Sequence, residues 1–506
     1  MNRRIQKECE STCEYLLPDY MGDIRKVLMS RARVIPGGKF VSDGAVEVSG
    51  TVEYEVTYAD SENRLTVASV DSDFEVKIPA DTEGDCEVYE ESDILSLSLR
   101  VAGPRKLALR SAIRTELTLS ESGVPSVEGD VFDSGEEVQS ESRVISVEFS
   151  RFAESDEQEY AEEAERLVGV RGEDVEILSV SGSVRVIESQ SVDGGVRVKG
   201  EIIIVALIRT PEQPVIAIRR VIPFEETVTV DGAISGMDAI ADGYVSSAVC
   251  GVNTDGEDAV VVVNAIAKYR ASVLGNEDVE VVTDAYLCRC ETENKYTRLE
   301  YKTLESCQNF DSTVSFLLPK DSLGCMDAAE IIAMNAEVRS AQLERCDSGV
   351  ILRGEILISG VACENNVDGT KTYLPIKTQQ IFEKNVNINC QIAENSVLEC
   401  RIFSPLCEAL FDAENIHVKA VLCGRILHES RRECTRLSEC QSGEERSSFA
   451  SPSRITVYYP TDDDTLFSVA KKFHTTVAKI AEDNKIDESA MQGSASALSC
   501  ERIILR

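Results

Sequence analysis

The sequence has few of the residues and motifs on which catalytic sites depend. Its 506 residues include three histidines, His417, His428 and His474. It contains no glycine-rich phosphate loop, no Gly-x-Ser-x-Gly and no His-Glu-x-x-His. Carboxylates are so numerous that no pair of them stands out as an acid–base pair. The sequence therefore predicts that the chain is not an enzyme, and it offers no catalytic residue.

Long apolar runs are missing as well. No stretch approaches the roughly 18 apolar residues of a membrane span, and the longest runs, such as Ile202–Ile208, have strand length. The first twenty residues alternate charged and polar side chains where a signal peptide needs an apolar segment. We therefore expect a cytoplasmic protein with no direct membrane insertion.

Positive charge is scarce. Lysine and arginine number 52 against 89 aspartates and glutamates, which gives a net charge of −37. Such a surface repels phosphate backbones and anionic lipid head groups, so nucleic acid is excluded as an expected partner. An acidic solvated surface needs no partner at all, and it also suits a partner with a basic face.

The 17 cysteines form no paired framework, and no Cys-x-x-Cys occurs. Their apolar surroundings predict free thiols in a reducing cytoplasm, where cysteine behaves as a small hydrophobic residue. A metal site is the alternative, because Cys423, His428, Cys434 and Cys440 cluster in sequence with His417 nearby. Their spacing matches no zinc template, so neither a metal nor a cofactor is predicted.

What the chain does have is a unit that occurs three times. Similar segments end at Gly50, Gly200 and Gly354, which lie 150 and 154 residues apart. An alternating apolar stretch follows each glycine. A Phe-Glu pair then opens a further alternating run in each unit, at Phe74-Glu75, Phe224-Glu225 and Phe382-Glu383. The period is that of whole domains in tandem.

Each unit is predicted to be built of strands. Apolar and polar residues alternate on both sides of the glycines, as on half-buried strands. Asp43 and Asp193 precede a glycine in turn chemistry, with Asp347 at the same place in the third unit. The strand-end glycines suggest a bulge or bend. Antiparallel strands of this length predict a β-sandwich or barrel-like fold in each repeat, and a mainly β chain overall.

The segments between the units differ in character. An acidic stretch with Tyr160, Ala164 and Leu167 at helical spacing predicts a helical connector. A Ser- and Glu-rich stretch before Arg454 predicts a flexible linker. The predicted organisation is repeat unit 1 at residues 1–122, acidic linker and helical connector at 123–164, repeat unit 2 at 165–290, repeat unit 3 at 297–435, flexible linker at 436–453 and a small terminal domain at 454–506.

The terminal domain is predicted to be strand, helix, helix, strand. Leu466, Val469 and Phe473 lie on one face of a helix, with Asp464 as a candidate cap. A second, shorter helix follows Thr476, and the chain closes in an apolar strand.

These residues resemble a LysM domain, through Thr465–Phe473, Thr475-Thr476-Val477 and Asn484-Lys485-Ile486. The resemblance implies a βααβ fold and binding of N-acetylglucosamine-containing glycans, such as peptidoglycan, in a groove between two loops. Carried over by position, the candidate ligand- or partner-binding residues are Asp462, Asp463, Asp464, Thr465, Leu466, Phe467, Asn484, Lys485, Ile486 and Asp487.

The sequence departs from the LysM pattern at the lip of the groove. Asp463 replaces the family's glycine, whose missing side chain lets a ligand approach the backbone. Three consecutive carboxylates, Asp462 to Asp464, repel the acidic peptides of peptidoglycan. Phe467 stands where the family often has tryptophan. These changes favour a protein partner over sugar for this copy of the domain.

The whole chain resembles the DUF3794 proteins of Firmicutes, through Leu17–Tyr20, Asp23–Leu28 and Val48–Tyr54, closed by one LysM domain. The resemblance implies a non-enzymatic scaffold of spore coat assembly on the mother-cell side of the forespore. The partner it implies is stage IV sporulation protein A, a spore coat morphogenetic ATPase-like protein, with self-association as a further expectation. The alternative is a peptidoglycan-binding protein of the cell wall or cortex.

Overall fold

The computed structural model describes most of the chain. The described residues are 2–42, 44–80, 86–120, 126–132, 137–256, 258–346, 349–366, 370–388, 392–445, 455–461, 464–486 and 502–505. The chain divides into two compact units. Unit 1 comprises Met1–Ser122, Glu148–Gly275 and Leu304–Ser430, and unit 2 comprises Gly123–Val147, Asn276–Thr303 and Arg431–Arg506.

The fold is mainly β, with 78% of residues in strands and 4% in helices, as the alternation of apolar residues predicted. The first repeat pairs β2-β3-β4 in one antiparallel sheet and β1-β6-β5 in another. Its strands are β1 (Asn2–Leu16), β2 (Ile24–Ser42), β3 (Ala45–Asp60), β4 (Leu65–Pro79), β5 (Glu87–Gly103) and β6 (Lys106–Ser120).

The second and third repeats have corresponding sheets. In the second they are β9-β10-β11 and β12-β13-β7, with β8 also on β13, and in the third they are β15-β16-β17 and β14-β19-β18. The strands of the second repeat are β7 (Val138–Glu154), β8 (Gln158–Leu167), β9 (Glu176–Val192), β10 (Gly195–Arg209), β11 (Ile216–Thr229), β12 (Asp238–Asp255) and β13 (Asp258–Leu287). Those of the third are β14 (Cys290–Pro319), β15 (Ala328–Cys346), β16 (Gly349–Asn365), β17 (Lys371–Val386), β18 (Ser396–Phe411) and β19 (Asn415–Glu445).

The repeated glycines and phenylalanines are cross-strand partners. Gly50 pairs with Phe74, and the same register holds for Gly200 with Phe224 and for Gly354 with Phe382. A Cβ atom on Gly200 would come within 2.9 Å of the phenylalanine ring and closer still to the Arg185 carbonyl oxygen. The glycine therefore makes room for the aromatic ring, and a bulge lies between Lys199 and Gly200, as predicted.

The turns before these strands also have the glycine geometry that the sequence predicts. Gly44, Gly194 and Gly349 have φ values of 80°, 82° and 132°, which glycine adopts without steric cost. Asp193 accepts a hydrogen bond from the Ser235 backbone, whereas Asp43 and Asp347 lie outside the described residues. Each repeat buries its own apolar core between its two sheets.

Two predicted segments have a different structure. The stripe of Tyr160, Ala164 and Leu167 predicted a helix, but these residues lie in β8, which pairs with residues 259–267 of β13. That part of β13 is a run of valines and alanines, and pairing with it outweighs local helical spacing. In the predicted flexible linker, residues 436–445 lie in β19, and 446–453 lie outside the described residues.

A further apolar cluster, besides the three repeat cores, lies where the three repeats of unit 1 meet. Its members come from corresponding parts of the repeats: Leu28, Met29, Ala59, Leu65 and Val67 of the first repeat, Leu207 and Val215 of the second, and Ile332, Val361, Cys363 and Tyr373 of the third. The repeats are therefore parts of one packed body.

The C-terminal domain, in unit 2, has the predicted βααβ order. Its elements are β20 (Thr456–Tyr458), α1 (Leu466–Phe473), α2 (Val477–Asn484) and β21 (Ile503–Leu505), with β20 antiparallel to β21. Among the residues that the structure describes, no helix has the length and hydropathy needed to cross a membrane.

Candidate functional site

The two helices of the C-terminal domain begin at threonines. Thr465 caps α1 by accepting a hydrogen bond from the Ser468 backbone, and the Ser468 hydroxyl closes the reciprocal half of a capping box. Thr476 caps α2. Asp464, the candidate cap from sequence, instead accepts hydrogen bonds from Tyr458 at 2.9 Å and from the Thr461 backbone at 2.7 Å. These bonds lower the pKa of the Asp464 carboxyl.

The second loop of the domain is fastened to its last strand. The Asn484 side chain donates to Ile504 O at 2.7 Å and to Ile480 O at 2.8 Å, and it accepts from Ile504 N at 2.7 Å. Lys485 follows in the left-handed conformation with φ 57° and is exposed. These three hydrogen bonds give the Asn484 side chain a structural role. The neighbouring Lys485 side chain is exposed and accessible to a partner.

Phe467, the aromatic residue of the first LysM loop, packs against another segment of unit 2. The Phe467 side chain is 9% exposed, and its ring meets the Tyr286 ring edge-on at 5.2 Å between centroids. Tyr286, near the end of β13, is itself 2% exposed and belongs to the same apolar cluster as Leu466 and Val469. Residues outside the LysM-like segment thus complete its core.

Polar contacts fix the same arrangement. The Tyr286 hydroxyl donates to Thr475 O at 2.7 Å, and the Lys471 ammonium lies 2.5 Å from the Asp284 carboxylate. Asp284 also accepts from Asn294 and from Tyr296, each at 2.8 Å. Burial raises the pKa of Tyr286, so the hydroxyl stays protonated and able to donate.

The structure therefore places the predicted binding residues in distinct roles. Leu466 is buried in the core, Phe467 packs on Tyr286, and Ile486 is partly buried against the same cluster. Asp462, Asp463 and Asp487 lie outside the described residues. Sequence reasoning missed Asp284 and Tyr286. They lie about 170 residues before the start of the domain, and their own stretch shows only the alternation of a strand.

A second concentration of functional groups lies in unit 1. Glu91 of the first repeat is 4% exposed and forms a two-fold hydrogen-bonded ion pair with Arg425 of the third, one of whose bonds is 2.6 Å. Arg401 also pairs with Glu91, and it donates to Asp93 at 2.7 Å. Burial alone would raise the pKa of Glu91, but the two guanidinium groups outweigh it and hold that pKa well below the usual range.

The second repeat joins this ion cluster through Asp242. Its carboxylate accepts from Tyr89 at 2.8 Å and from Arg270 at 2.8 Å. Glu91 and Asp242 occupy corresponding positions, each three residues before a bulge that starts at Ile94 in one hairpin and at Val245 in the other.

The third repeat has a thiol at that position. Cys400 lies three residues before the bulge that starts at Phe403, and burial raises its pKa to about 11. The first and second repeats thus have carboxylates at the shared position. The third repeat has a cysteine there, and its arginines, Arg401 and Arg425, lie at neighbouring positions of the hairpin.

A cavity of about 510 Å³ opens beside this cluster, with lining residues from all three repeats. Both signs of charge line it, including Arg4 and Arg114 alongside Glu116 and Glu399. Because the lining charges are of both signs and largely paired with one another, the cavity favours neither an anionic nor a cationic ligand. Its chemistry is that of an ionic joint between repeats.

The cysteine and histidine cluster weighed as a metal site is not a ligand set. His428 is buried, and its pKa is lowered by that burial. The Cys423 thiol lies 3.9 Å from the Asp311 carboxylate. Among the residues that the structure describes, no group of three or more His, Cys, Asp or Glu side chains could hold a metal ion.

Comparison with known families agrees with the two kinds of domain seen in the fold. A family model described as the SipL, SPOCS domain matches residues 175–253, within the second repeat. A LysM domain model matches residues 461–490. The chain carries a SipL SPOCS domain and a LysM domain. No protein of curated function and no solved structure matches it.

This combination is that of a SipL-like, LysM-containing protein related to sporulation. SPOCS and LysM domains are binding or adaptor domains without catalytic chemistry of their own. The LysM domain belongs to a type that binds peptidoglycan, and here it is built into unit 2 through Tyr286.

Proposed function

We propose that this protein is a non-enzymatic scaffold of spore coat assembly, located on the mother-cell side of the forespore, and that its LysM domain recruits a protein partner. The SPOCS and LysM matches support a role in sporulation. The observation that carries the protein-partner part is the packing of Phe467 on Tyr286 within unit 2. An aromatic ring in the LysM groove is a natural platform for a sugar, and this ring is already covered.

The charge of the chain supports the same proposal. Peptidoglycan carries acidic peptides, and a chain of net charge −37 approaches it against electrostatic repulsion. A basic protein surface is attracted by the same charge. Stage IV sporulation protein A is the partner that the DUF3794 resemblance implies, and it is the first candidate to test.

Peptidoglycan binding is the second candidate function, and the LysM match favours it. The two functions differ in what the full-length chain should bind. We expect it to bind purified stage IV sporulation protein A from the same organism and not to sediment with purified peptidoglycan sacculi. Sedimentation at the level of a glycan-binding LysM protein would instead support the wall-binding function.

The contact itself is tested by charge reversal at the lip of the groove. Asp464 holds Tyr458 and Thr461, so it should be left intact. We expect Asp462→Lys with Asp463→Lys to weaken partner binding at least about tenfold, equivalent to about 1.4 kcal/mol. Glu482→Lys with Asp483→Lys, on α2, is the matched control. Equal binding by both variants would remove the acidic lip as the contact.

A further inference from the structure

The first repeat has a short loop whose backbone is held by hydrogen bonds from one arginine side chain. In this first loop, residues 16–23, the Arg105 guanidinium donates to Pro18 O at 2.7 Å and to Met21 O at 3.0 Å. It also donates to the Asp23 carboxylate at 2.9 Å, and Met21 N closes a turn onto Pro18 O at 2.9 Å. One half-buried arginine, 32% exposed, therefore holds most of the loop backbone.

The third repeat has a corresponding segment, called the third loop, which comprises residues 317–328 from the end of β14 to the start of β15 and has its own cation. Lys320 is 5% exposed, and its ammonium lies 4.3 Å from the centroid of the Phe411 ring and 3.4 Å from Ala328 O. Lys320 O accepts from Cys325 N at 3.0 Å. The two loops begin with the same Leu-Leu-Pro sequence.

Both loops expose large apolar side chains although they are rigid. Of each leucine pair, the second member is buried, at Leu17 and Leu318. The first member is exposed, by 69% at Leu16 and 58% at Leu317. Tyr20 is 83% exposed on the first loop and Met326 is 55% exposed on the third. Exposed apolar side chains on a rigid backbone lose little conformational entropy on binding, which favours their use as a contact surface.

The two loops differ in the sign of their neighbouring charges. Arg25 and Lys26, at the start of β2 after the first loop, are exposed and make no ion pair within the described part of the chain. Asp321 and Asp327 are exposed on the third loop. Two carboxylates of the first loop, Asp19 and Asp23, oppose this difference, and Asp23 is paired with Arg105 at 2.9 Å.

We propose that the first loop of one molecule binds the third loop of a second copy of this chain. Copies with a net charge of −37 repel one another, so an association needs local contacts of opposite sign, and these two loops provide them beside apolar side chains. Because the two surfaces are different, the contact is head to tail and generates open chains or rings. This deepens the scaffold proposal by naming how the scaffold extends itself.

Sedimentation velocity of the full chain tests the proposal with two variants. The first-loop variant is Leu16→Ser with Tyr20→Ser, and the third-loop variant is Leu317→Ser with Met326→Ser. We expect the unmodified protein to form species larger than dimers as its concentration rises to about 100 μM. Each variant alone should be monomeric. An equimolar mixture should form a one-to-one dimer and nothing larger, because one intact loop remains on each molecule.

Charge reversal supplies an independent arm. Arg25→Glu with Lys26→Glu should abolish assembly, and so should Asp321→Lys with Asp327→Lys. A mixture of these two charge variants should assemble again, because their contacts are complementary once more. Arg197→Glu with Lys199→Glu, on the second repeat, is the matched control and should assemble like the unmodified chain. Circular dichroism confirms that every variant keeps its β fold.

Three results would overturn the proposal: an unmodified chain that stays monomeric, a closed dimer that does not grow, or a mixture of loop variants that stays monomeric while both are folded. None of them bears on recruitment by the LysM domain, because the recruitment assay does not require self-association. Loss of partner binding would in turn leave the assembly result unchanged.

Discussion

In unit 1 the repeats meet around buried charges, whereas in unit 2 the LysM domain is attached through an aromatic ring. The ion cluster joins Glu91, Asp242 and Arg425 from three repeats. The LysM contact rests on Tyr286 and Phe467, with polar bonds at its edge. Ion pairs demand one geometry and lose heavily when a partner is removed, whereas apolar contacts tolerate adjustment. The comparison indicates a fixed arrangement of the repeats within unit 1 and a more adaptable attachment of the LysM domain within unit 2.

The largest effect should follow removal of the carboxylate shared by the arginines. We expect Glu91→Ala to destabilise unit 1 by about 3–5 kcal/mol, because Arg401 and Arg425, 27% and 19% exposed, would lose the buried carboxylate that they share. Denaturant unfolding, with hydrogen–deuterium exchange in β5, β12 and β18, measures it. Glu10→Ala removes the exposed partner of Arg110 and is the control, with no measurable loss of stability expected because solvent screens the pair. Equal costs would contradict a structural role for the cluster.

The same carboxylate predicts a pH dependence. Because the pKa of Glu91 is lower in the folded than in the unfolded chain, its stabilisation is complete above the ordinary value of 4.5. That stabilisation is lost as the pH falls from there toward the folded pKa. The stability difference between the unmodified chain and Glu91→Gln should therefore be constant near neutral pH and shrink in acid. A difference that grows in acid would mean that the folded pKa is raised.

In unit 2 the corresponding test removes the Tyr286 ring. We expect Tyr286→Ala to destabilise the LysM domain by about 3 kcal/mol, because a cavity opens beside Leu466 and Phe467. Exchange of the amides in α1 and α2 should increase, while exchange in β5 stays unchanged. If α1 and α2 keep their protection, the domain is independent of β13, and the contrast between the two regions fails.

The sequence shows the parts that repeat and the parts that are local. The glycine–phenylalanine pairs recur at nearly constant spacing, so the strands and their bulges were predictable. The helices of the LysM domain follow from apolar spacing and threonine caps, although the cap of α1 is Thr465 and not Asp464.

Contacts between distant segments could not be predicted in this way. Glu91 and Arg425 are separated by 334 residues, and nothing in either neighbourhood marks a partner. Tyr286 likewise sits in an ordinary strand pattern. The helical spacing in β8 misled for a related reason: its strand-pairing partner, in β13, lies about 100 residues further along the chain. Pairing of this kind depends on tertiary structure, which periodicity does not encode.

A milder substitution tests the hydrogen bond between Tyr286 and the LysM domain separately from the ring contact. Tyr286→Phe keeps the ring against Phe467 and removes only the hydrogen bond to Thr475 O. We expect a cost of about 1 kcal/mol, since one partly buried hydrogen bond is lost. Denaturant unfolding followed by exchange in α1 measures it. A cost equal to that of Tyr286→Ala would assign the whole contact to the hydroxyl.

The smallest effect is expected at the ion pair between Lys471 and Asp284. Both side chains keep contact with solvent, at 35% and 21% exposure, so water already weakens their attraction. Replacing Lys471 with methionine should cost less than about 1 kcal/mol and should lose its effect at high salt, where such pairs are screened. Asp284→Ala should cost more than Lys471→Met, because Asn294 and Tyr296 also lose their acceptor. If the two substitutions cost the same, the attachment depends on the ion pair alone. The LysM domain would then resemble the charged joint of unit 1 more closely than the geometry indicates.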